Sequence, residues 1–385
     1  MNLIEPLRRL SSIVEPAGTV ATVTLDLAGS GIVPPATRIF LKDQVARALH
    51  WTARPLDAQE TLKRVWRRIE EFVTKEVRPE TDGLFLVAGR DVWEAIELRV
   101  PLRNFVTVGR APYLAPLLEA VQRAPRALLV QLDANEARVA EWALGEEREE
   151  AVLHSEELES NVEHVKPSRR VRVRTGASVG PGGSSARDRY QQSTLEVSKA
   201  TLRAAAATTA ALHNKAPAEA ILVSGPAERI AGFRKALPKE LEPLVEAAPD
   251  DVRRRMERLS HERSAREVGE FHERWKQGKL VALGPRDVLE HLATGHVARA
   301  YVSADGPVPG VVCPDCGRRY EGMPRKCLSC PAEPVATSLV QELVTHGLRH
   351  PPLAITYLPA ATGWLLELGG MAALLSAKGV RSRRK

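Results

Sequence analysis

The 385-residue chain is 44% hydrophobic and carries 55 Lys and Arg against 48 Asp and Glu, a formal charge of +7. That much apolar material excludes a wholly disordered chain, and at about 100–200 residues per domain the length divides into two or three domains. Aromatic residues are only 4%, which argues against a protein that reads single strands mainly by base stacking. The positive excess implies a polyanionic partner only where it is clustered. The first residues, Met1-Asn-Leu-Ile-Glu-Pro-Leu-Arg-Arg9, carry charges where a signal peptide needs an apolar run. The longest uncharged stretch, Pro351 to Leu366, holds three prolines and a glycine and is no membrane helix. The reading is a soluble cytoplasmic protein.

Residues 1–122 read as a mixed α/β unit. Thr19–Leu27 alternates Val23, Leu25 and Leu27 with Thr22, Thr24 and Asp26, a strand that ends in Ala28-Gly-Ser-Gly31. Asp57–Val77 has helical spacing, with Leu62, Val65, Trp66, Ile69, Phe72 and Val73 on one face. Lys63, Arg64, Arg67 and Arg68 lie on the other, which reads as a solvated face. Gly83–Gly89, Trp93–Leu98 and Phe105–Val108 follow as strands. A second unit, residues 123–276, opens with a hairpin, Ala127–Asp133 and Ala137–Leu144. Residues 145–193, acidic and then basic, are the least foldable part and read as a disordered or functional loop. A long alanine-rich helix, about Thr194–His213, a strand Ala220–Ser224 and a helix Ala227–Leu237 complete a β/α alternation.

The third unit, residues 277–385, begins with a strand Leu280–Leu283 and a helix Arg286–Thr294 stopped by Gly295. A strand Val297–Val302, the cysteine segment, a helix at about Val335–His346 and a strand Ala354–Tyr357 come next. Leu368–Ser376 and a frayed basic tail, Lys378–Lys385, close the chain. All four cysteines lie in residues 311–332, as Cys313-Pro-Asp-Cys316 and Cys327-Leu-Ser-Cys330. Each C-x₂-C pair places two thiolates on one side of a tight turn, and two pairs make a Cys₄ set that selects Zn²⁺. A closed Cys₄ site has no open position, so the zinc is structural and supplies folding energy to a small ribbon. The histidines His261, His272, His291, His296 and His346 are scattered and read as surface or core residues.

The loop at 166–190 holds most of the chain's positive excess. Lys166, Arg169, Arg170, Arg172, Arg174, Arg187 and Arg189 oppose only Asp188 between Lys166 and Arg189. Glycines 176, 180, 182 and 183 let the backbone approach a partner closely. Two readings stand side by side: a cationic loop on a phosphate backbone, with salt-sensitive binding, or a solvated linker. No Gly-Lys-Ser/Thr follows Gly180-Pro-Gly-Gly183, so it is not a nucleotide-hydrolysing P-loop.

These units in this order resemble the archaeal and eukaryotic class I release factors, specifically their bacterial homologues, which include the Balon-type ribosome hibernation factors. Gly182-Gly-Ser-Ser-Ala-Arg-Asp-Arg-Tyr190 resembles the family's Gly-Gly-Gln-Ser-Ala-x-Arg tract ahead of a long helix. Ile221–Glu228, with its Gly225-Pro226 turn, resembles the next strand. Gly284–Ala293, the inserted ribbon and Leu368-Gly-Gly-Met-Ala-Ala-Leu-Leu375 fit the third domain. The resemblance implies an RNase H-like middle domain and an L7Ae-like C-terminal domain. Gly89–Leu98 and Val108–Leu117 look like the bacterial homologues.

The departures carry the functional expectation. In the family the glutamine of Gly-Gly-Gln helps position the water that attacks peptidyl-tRNA; Ser184 stands there and is too short to place an amide at that point. The family's Asn-Ile-Lys-Ser and Tyr-x-Cys stop-codon motifs are absent from the first unit. The resemblance therefore implies a non-catalytic factor in the A site of the 70S ribosome, near the rRNA of the decoding and peptidyl-transferase centres, acting in hibernation or stress protection. Arg169, Arg170, Arg172, Arg174, Gly182, Gly183, Ser184, Arg187 and Arg189 would form its RNA-binding set, with no catalytic residue. The protein is expected to be a monomer off the ribosome, and the family implies association with elongation factor Tu, although no residue here shows that contact. The alternative is a codon-independent peptidyl-tRNA hydrolase, with Gln191 or Gln192 serving a shifted loop. A DNA-binding zinc-ribbon protein, its ribbon flanked by Arg318, Arg319, Arg325 and Lys326, would leave the three-unit correspondence unexplained.

Overall fold

The computed structural model describes residues 3–27, 34–50, 56–134, 136–154, 186–278, 280–303, 308–322, 324–350, 353–358 and 363–376. The fold is mixed α/β. It divides into two compact units, one built from residues 1–124 together with 260–385 and one from residues 125–259.

In the first unit, α1 (Ile4–Ser11), β1 (Val20–Asp26), α2 (Pro35–His50), α3 (Leu56–Lys75), β2 (Gly83–Ala88), β3 (Trp93–Leu98), β4 (Phe105–Gly109) and α4 (Ala115–Arg123) follow in order. The four strands form an antiparallel sheet ordered β3-β2-β1-β4. β1 is central and buried over its first six residues, so its β-branched run has a partner on both edges. The apolar stripe of α3 lies on the sheet: Leu62, Val65, Trp66, Ile69 and Val73 are buried against Val23, Leu25, Leu84 and Leu86. The basic face of α3 does point outward, and Arg68 lies 4.0 Å over the Trp93 ring, a cation–π contact.

The second unit holds β5 (Ala127–Leu132), β6 (Glu136–Ala143), β7 (Glu146–His154), α5 (Ala186–Lys215), β8 (Ala220–Ser224), α6 (Ala227–Ala236) and β9 (Val245–Ala247). The sheet order is β7-β6-β5-β8-β9. The first three strands are an antiparallel meander, and β8 and β9 add in parallel. One face packs α5 and α6 through Leu202, Ala205, Ala206 and Phe233. The other packs Met256 and Leu259 of α7 (Val252–Lys276).

Two features of this unit differ from the sequence reading. The acidic stretch at 146–154 is a strand, not a loop. Leu144 and Gly145 have φ of 53° and 78°, the two left-handed residues of a tight hairpin turn, which folds β7 back onto β6. β7 is the sheet's outer strand, where charge is tolerated, and Arg148 sits opposite Glu141. Apolar alternation is therefore missing although the strand is real. The long helix begins at Ala186 rather than near Thr194.

The chain re-enters the first unit at Ser260, within α7, and continues with β10 (Val281–Leu283), α8 (Gly284–Ala293), β11 (Val297–Ser303), β12 (Pro309–Val312), β13 (Arg319–Glu321), β14 (Val335–Ser338), α9 (Leu339–Arg349), β15 (Ala354–Leu358), α10 (Gly363–Glu367) and β16 (Met371–Leu375). One sheet is ordered β10-β16-β11-β15, and a small second one, β13-β12-β14, carries the cysteines. Val335–Ser338, read from sequence as the start of a helix, instead pairs with β12, Val312 opposite Val335. The helix starts at Leu339 and runs through Gly347, where an added Cβ would press on Ile355 at 3.0 Å. Among the described residues no helix is long and apolar enough to cross a membrane.

Candidate metal centre and the frame of the glycine-rich loop

The two cysteine pairs sit on two tight turns of the small sheet. Cys313 follows β12; its amide donates to the Arg318 carbonyl at 2.8 Å, and the Gly317 amide donates to the Cys313 carbonyl at 3.0 Å. Gly317 has φ of +68° with open space about its Cα, the left-handed residue the turn needs. In the second turn the Cys327 amide donates to the Ala332 carbonyl at 2.9 Å. The Ser329 amide donates to Cys327 Sγ at 3.4 Å.

These turns bring all four sulfurs within 4.8 Å of one another. Cys313 Sγ lies 3.3 Å from Cys330 Sγ and Cys316 Sγ 3.5 Å from Cys327 Sγ. A tetrahedral thiolate site with metal–sulfur bonds of about 2.3 Å has sulfurs about 3.8 Å apart, so the donor set and its span fit a tetrahedral metal ion. The thiols are electrostatically unequal. The Tyr320 hydroxyl, with help from neighbouring amides, lowers Cys327 to about 6. The Ala332 amide lowers Cys330, but the contact with Cys313, burial and the other two sulfurs outweigh it and push Cys330 up to about 12. Among the described residues the cysteines are the one group of three or more His, Cys, Asp or Glu side chains placed to hold a metal. From sequence the histidines read as scattered, but His291 lies beside His296 with ring centroids 6.1 Å apart and His346 beside His350 at 4.7 Å, pairs too small to hold a metal alone. His346 is partly buried and lowered by that burial, and His272 packs against Phe271, Trp275 and Trp364.

The glycine-rich loop leaves β7 and enters α5. Arg169, Arg170, Arg172, Arg174, Gly182, Gly183 and Ser184 lie outside the described residues. Arg187 and Arg189 lie in the first turn of α5, and Gln191 and Gln192 lie further along the same helix; the side chains of all four fall outside what is described.

The frame around the loop is well defined. Small residues let α5 approach the sheet, with Ala205 and Ala206 buried. At its far end Arg126, just before β5, donates to the carbonyls of Ala216 and, at 3.4 Å, Leu212. The Leu212 carbonyl already accepts the Ala216 amide at 3.1 Å, so the guanidinium adds a second donor there and gives the Ala216 carbonyl, just past the helix, a side-chain partner. The same guanidinium donates to Glu141 Oε1 at 2.5 Å. Nearer the loop, Arg229 of α6 donates at 2.9 Å to Ser198 Oγ of α5 and at 2.9 Å to the Ala134 carbonyl in the β5–β6 turn. Gly225, in the turn after β8, has φ of +135°, and an added Cβ would overlap the Leu132 carbonyl oxygen.

Sequence reasoning missed Tyr320, whose hydroxyl lies 3.1 Å from Cys327 Sγ, and Gln341, which is buried and holds the start of α4. A tyrosine four residues beyond the first C-x₂-C pair is the one signal that was available for Tyr320. For Gln341, whose partners lie some 227 positions away, there was none.

No curated protein matches the chain significantly. Among solved structures, a ribosome-bound archaeal Pelota is 14% identical, with 97% of this chain and 94% of that chain covered and a TM-score of 0.41. An archaeal translation termination factor is 14% identical over 97% and 96%, with a TM-score of 0.26. Dom34 of S. cerevisiae is 10% identical over 80% and 77%, with a TM-score of 0.38. At these TM-scores the likenesses carry no weight for function. Residues 112–255 match the model of bacterial archaeo-eukaryotic release factor family 10. That stretch spans the five-stranded sheet, α5, α6 and the glycine-rich loop, and over it the chain is similar to the bacterial release factor-like proteins.

Proposed function

We propose that this protein binds the A site of idle or stalled 70S ribosomes, in hibernation or stress protection, without reading stop codons and without cleaving peptidyl-tRNA. The observation that carries the reading is Ser184. It stands where the family tract has its water-positioning glutamine, inside the segment that matches the family model. A serine keeps the small, close-approaching backbone of Gly182-Gly183 and loses the amide. Residues 1–122 would lie near the decoding centre. The loop of residues 123–276, with Arg169, Arg170, Arg172, Arg174, Arg187 and Arg189, would lie on the RNA of the peptidyl-transferase centre. Residues 277–385 complete the factor, and the Cys₄ set holds a structural zinc.

The test is sedimentation of the full chain with 70S ribosomes across a salt series, beside a form substituted at Arg169, Arg170, Arg172 and Arg174. Each phosphate neutralised contributes a slope of about −0.7 to −0.9 in log affinity against log salt. About five such contacts would weaken binding roughly two orders of magnitude between 50 and 200 mM. The substituted form should bind less tightly with a shallower slope. Ribosomes carrying labelled peptidyl-tRNA should keep their peptide. Absence of association at every salt overturns the ribosomal reading, and release above background replaces it with a hydrolase.

A further inference from the structure

We propose that Tyr320 is a positioning residue of the metal centre. Its hydroxyl fixes the second cysteine turn so that the four thiolates bind a metal more tightly than the two C-x₂-C pairs alone would. The inference rests on the reading that the cysteines hold a metal ion. Tyr320 belongs to β13, downstream of the first pair, yet its hydroxyl reaches the second. It lies 3.1 Å from Cys327 Sγ and accepts from the Leu328 amide at 3.2 Å. A metal-bound thiolate has no hydrogen to give, so in the loaded site the hydroxyl would be the donor and the sulfur the acceptor.

Cys327 Sγ therefore has two donors, the Tyr320 hydroxyl and the Ser329 amide. Groups that donate to a ligating atom fix its orientation, and losing one costs about 10–100-fold in metal affinity. The backbone of Tyr320 is fixed by the sheet: it pairs with Val311 in the central strand. At Gly310 an added Cβ would come within 2.7 Å of the Tyr320 carbonyl. The phenol is thus attached to the sheet that carries the first turn and is bonded to both a sulfur and an amide of the second. Arg318 makes a separate tie, to Ser329 Oγ, that touches no sulfur.

The experiment titrates the purified full chain with Co²⁺, followed through its thiolate charge-transfer bands, and then displaces Co²⁺ with Zn²⁺ under a competing chelator. Tyr320→Phe should reach the same saturating stoichiometry with about 10–100-fold weaker affinity and a shifted charge-transfer band. Tyr320→4-aminophenylalanine, which keeps a donor at that place, should recover most of the affinity even if the phenylalanine form folds poorly. Arg318→Ala should leave the band unmoved. A Tyr320→Phe form within twofold of the parent with an unchanged band makes the tyrosine a packing residue only and overturns the inference. So does an equal loss in Arg318→Ala with an equal band shift. If the unsubstituted chain binds neither ion, the metal reading itself fails, and that arm reports it separately from any effect of Tyr320.

Discussion

Replacing Gln341 by Leu should release the start of α4 from α9. Gln341 is 8% exposed. Its Oε1 accepts the Leu114 amide at 2.7 Å and the Ala115 amide at 3.2 Å; its Nε2 donates to the Pro112 carbonyl at 3.0 Å and to Thr345 Oγ1 at 2.9 Å. The first turn of a helix leaves amides without intrahelical partners, and no side chain of α4 caps its own N-terminus. Pro116 has no amide hydrogen to satisfy, so Gln341 meets the two amides before it. Leucine fills a similar volume and strands two buried amides and one carbonyl. At about 1–3 kcal/mol for each stranded group, with some relief by water entry, the cost is about 3–5 kcal/mol. Gln341→Glu keeps the acceptor and loses the donor, and should cost less. Because a chain of two units does not unfold in one step, the assay is amide hydrogen exchange. Protection of Leu114 and Ala115 should fall about 100-fold or more, since each 1.4 kcal/mol is tenfold, while Leu222 in the other unit keeps its protection. A change under threefold at 114 and 115 would refute the reasoning.

Gly225→Ala combines a positive φ with overlap on the Leu132 carbonyl and should destabilise residues 125–259 by about 2–4 kcal/mol, read by denaturant unfolding. Burial raises the Glu97 pKa, but the Thr81 hydroxyl and the Arg78 amide and guanidinium hold it below its ordinary value of 4.5. A depressed folded pKa gives stability that is present above that ordinary value and lost as pH falls through the folded one. Glu97→Gln should therefore flatten the acid limb of a stability–pH curve, and an unchanged limb would count against the network. Chelation of the metal, or Cys316→Ser, should abolish exchange protection in β12–β14 and leave the sheet β7-β6-β5-β8-β9 intact; loss of protection in both would mean that the ribbon is not an independent folding element.

What could be read from the sequence follows the range of the interactions involved. β1, α3 and β8 declare themselves because each buries a continuous apolar face with its own period, and Gly225-Pro226 marks a turn that only glycine fits. β7 does not declare itself, because an outer strand needs no second buried face: its glutamates are held by the hairpin turn at Leu144-Gly145 and by the partner strand. Val335–Ser338 was misread for a related reason. Four residues ahead of a helix continue its apolar period by chance, and only pairing with β12, some 25 residues earlier, makes them a strand.

The candidate sites divide in the same way. Four cysteines in two C-x₂-C pairs are a local pattern whose chemistry follows from ligand type and spacing, and the sulfurs do converge. The residues that stiffen such sites make no pattern, because they act from other elements: Tyr320 reaches from one strand to the second cysteine turn, Arg126 crosses from β5 to the end of α5, and Gln341 answers amides some 227 positions away. The glycine-rich tract lies between these extremes. Its residue types were legible as a cationic, glycine-rich segment, with Ser184 at the place of the family's glutamine, and on the proposed function it meets a polyanion at close range. Arg229 ties α6 to Ser198 of α5 and to the β5–β6 turn. On the proposed function, Arg229→Ala should lower co-sedimentation with 70S ribosomes while leaving the charge of residues 166–190 unchanged, and unchanged co-sedimentation would mean that the tie between α6 and α5 plays no part in binding.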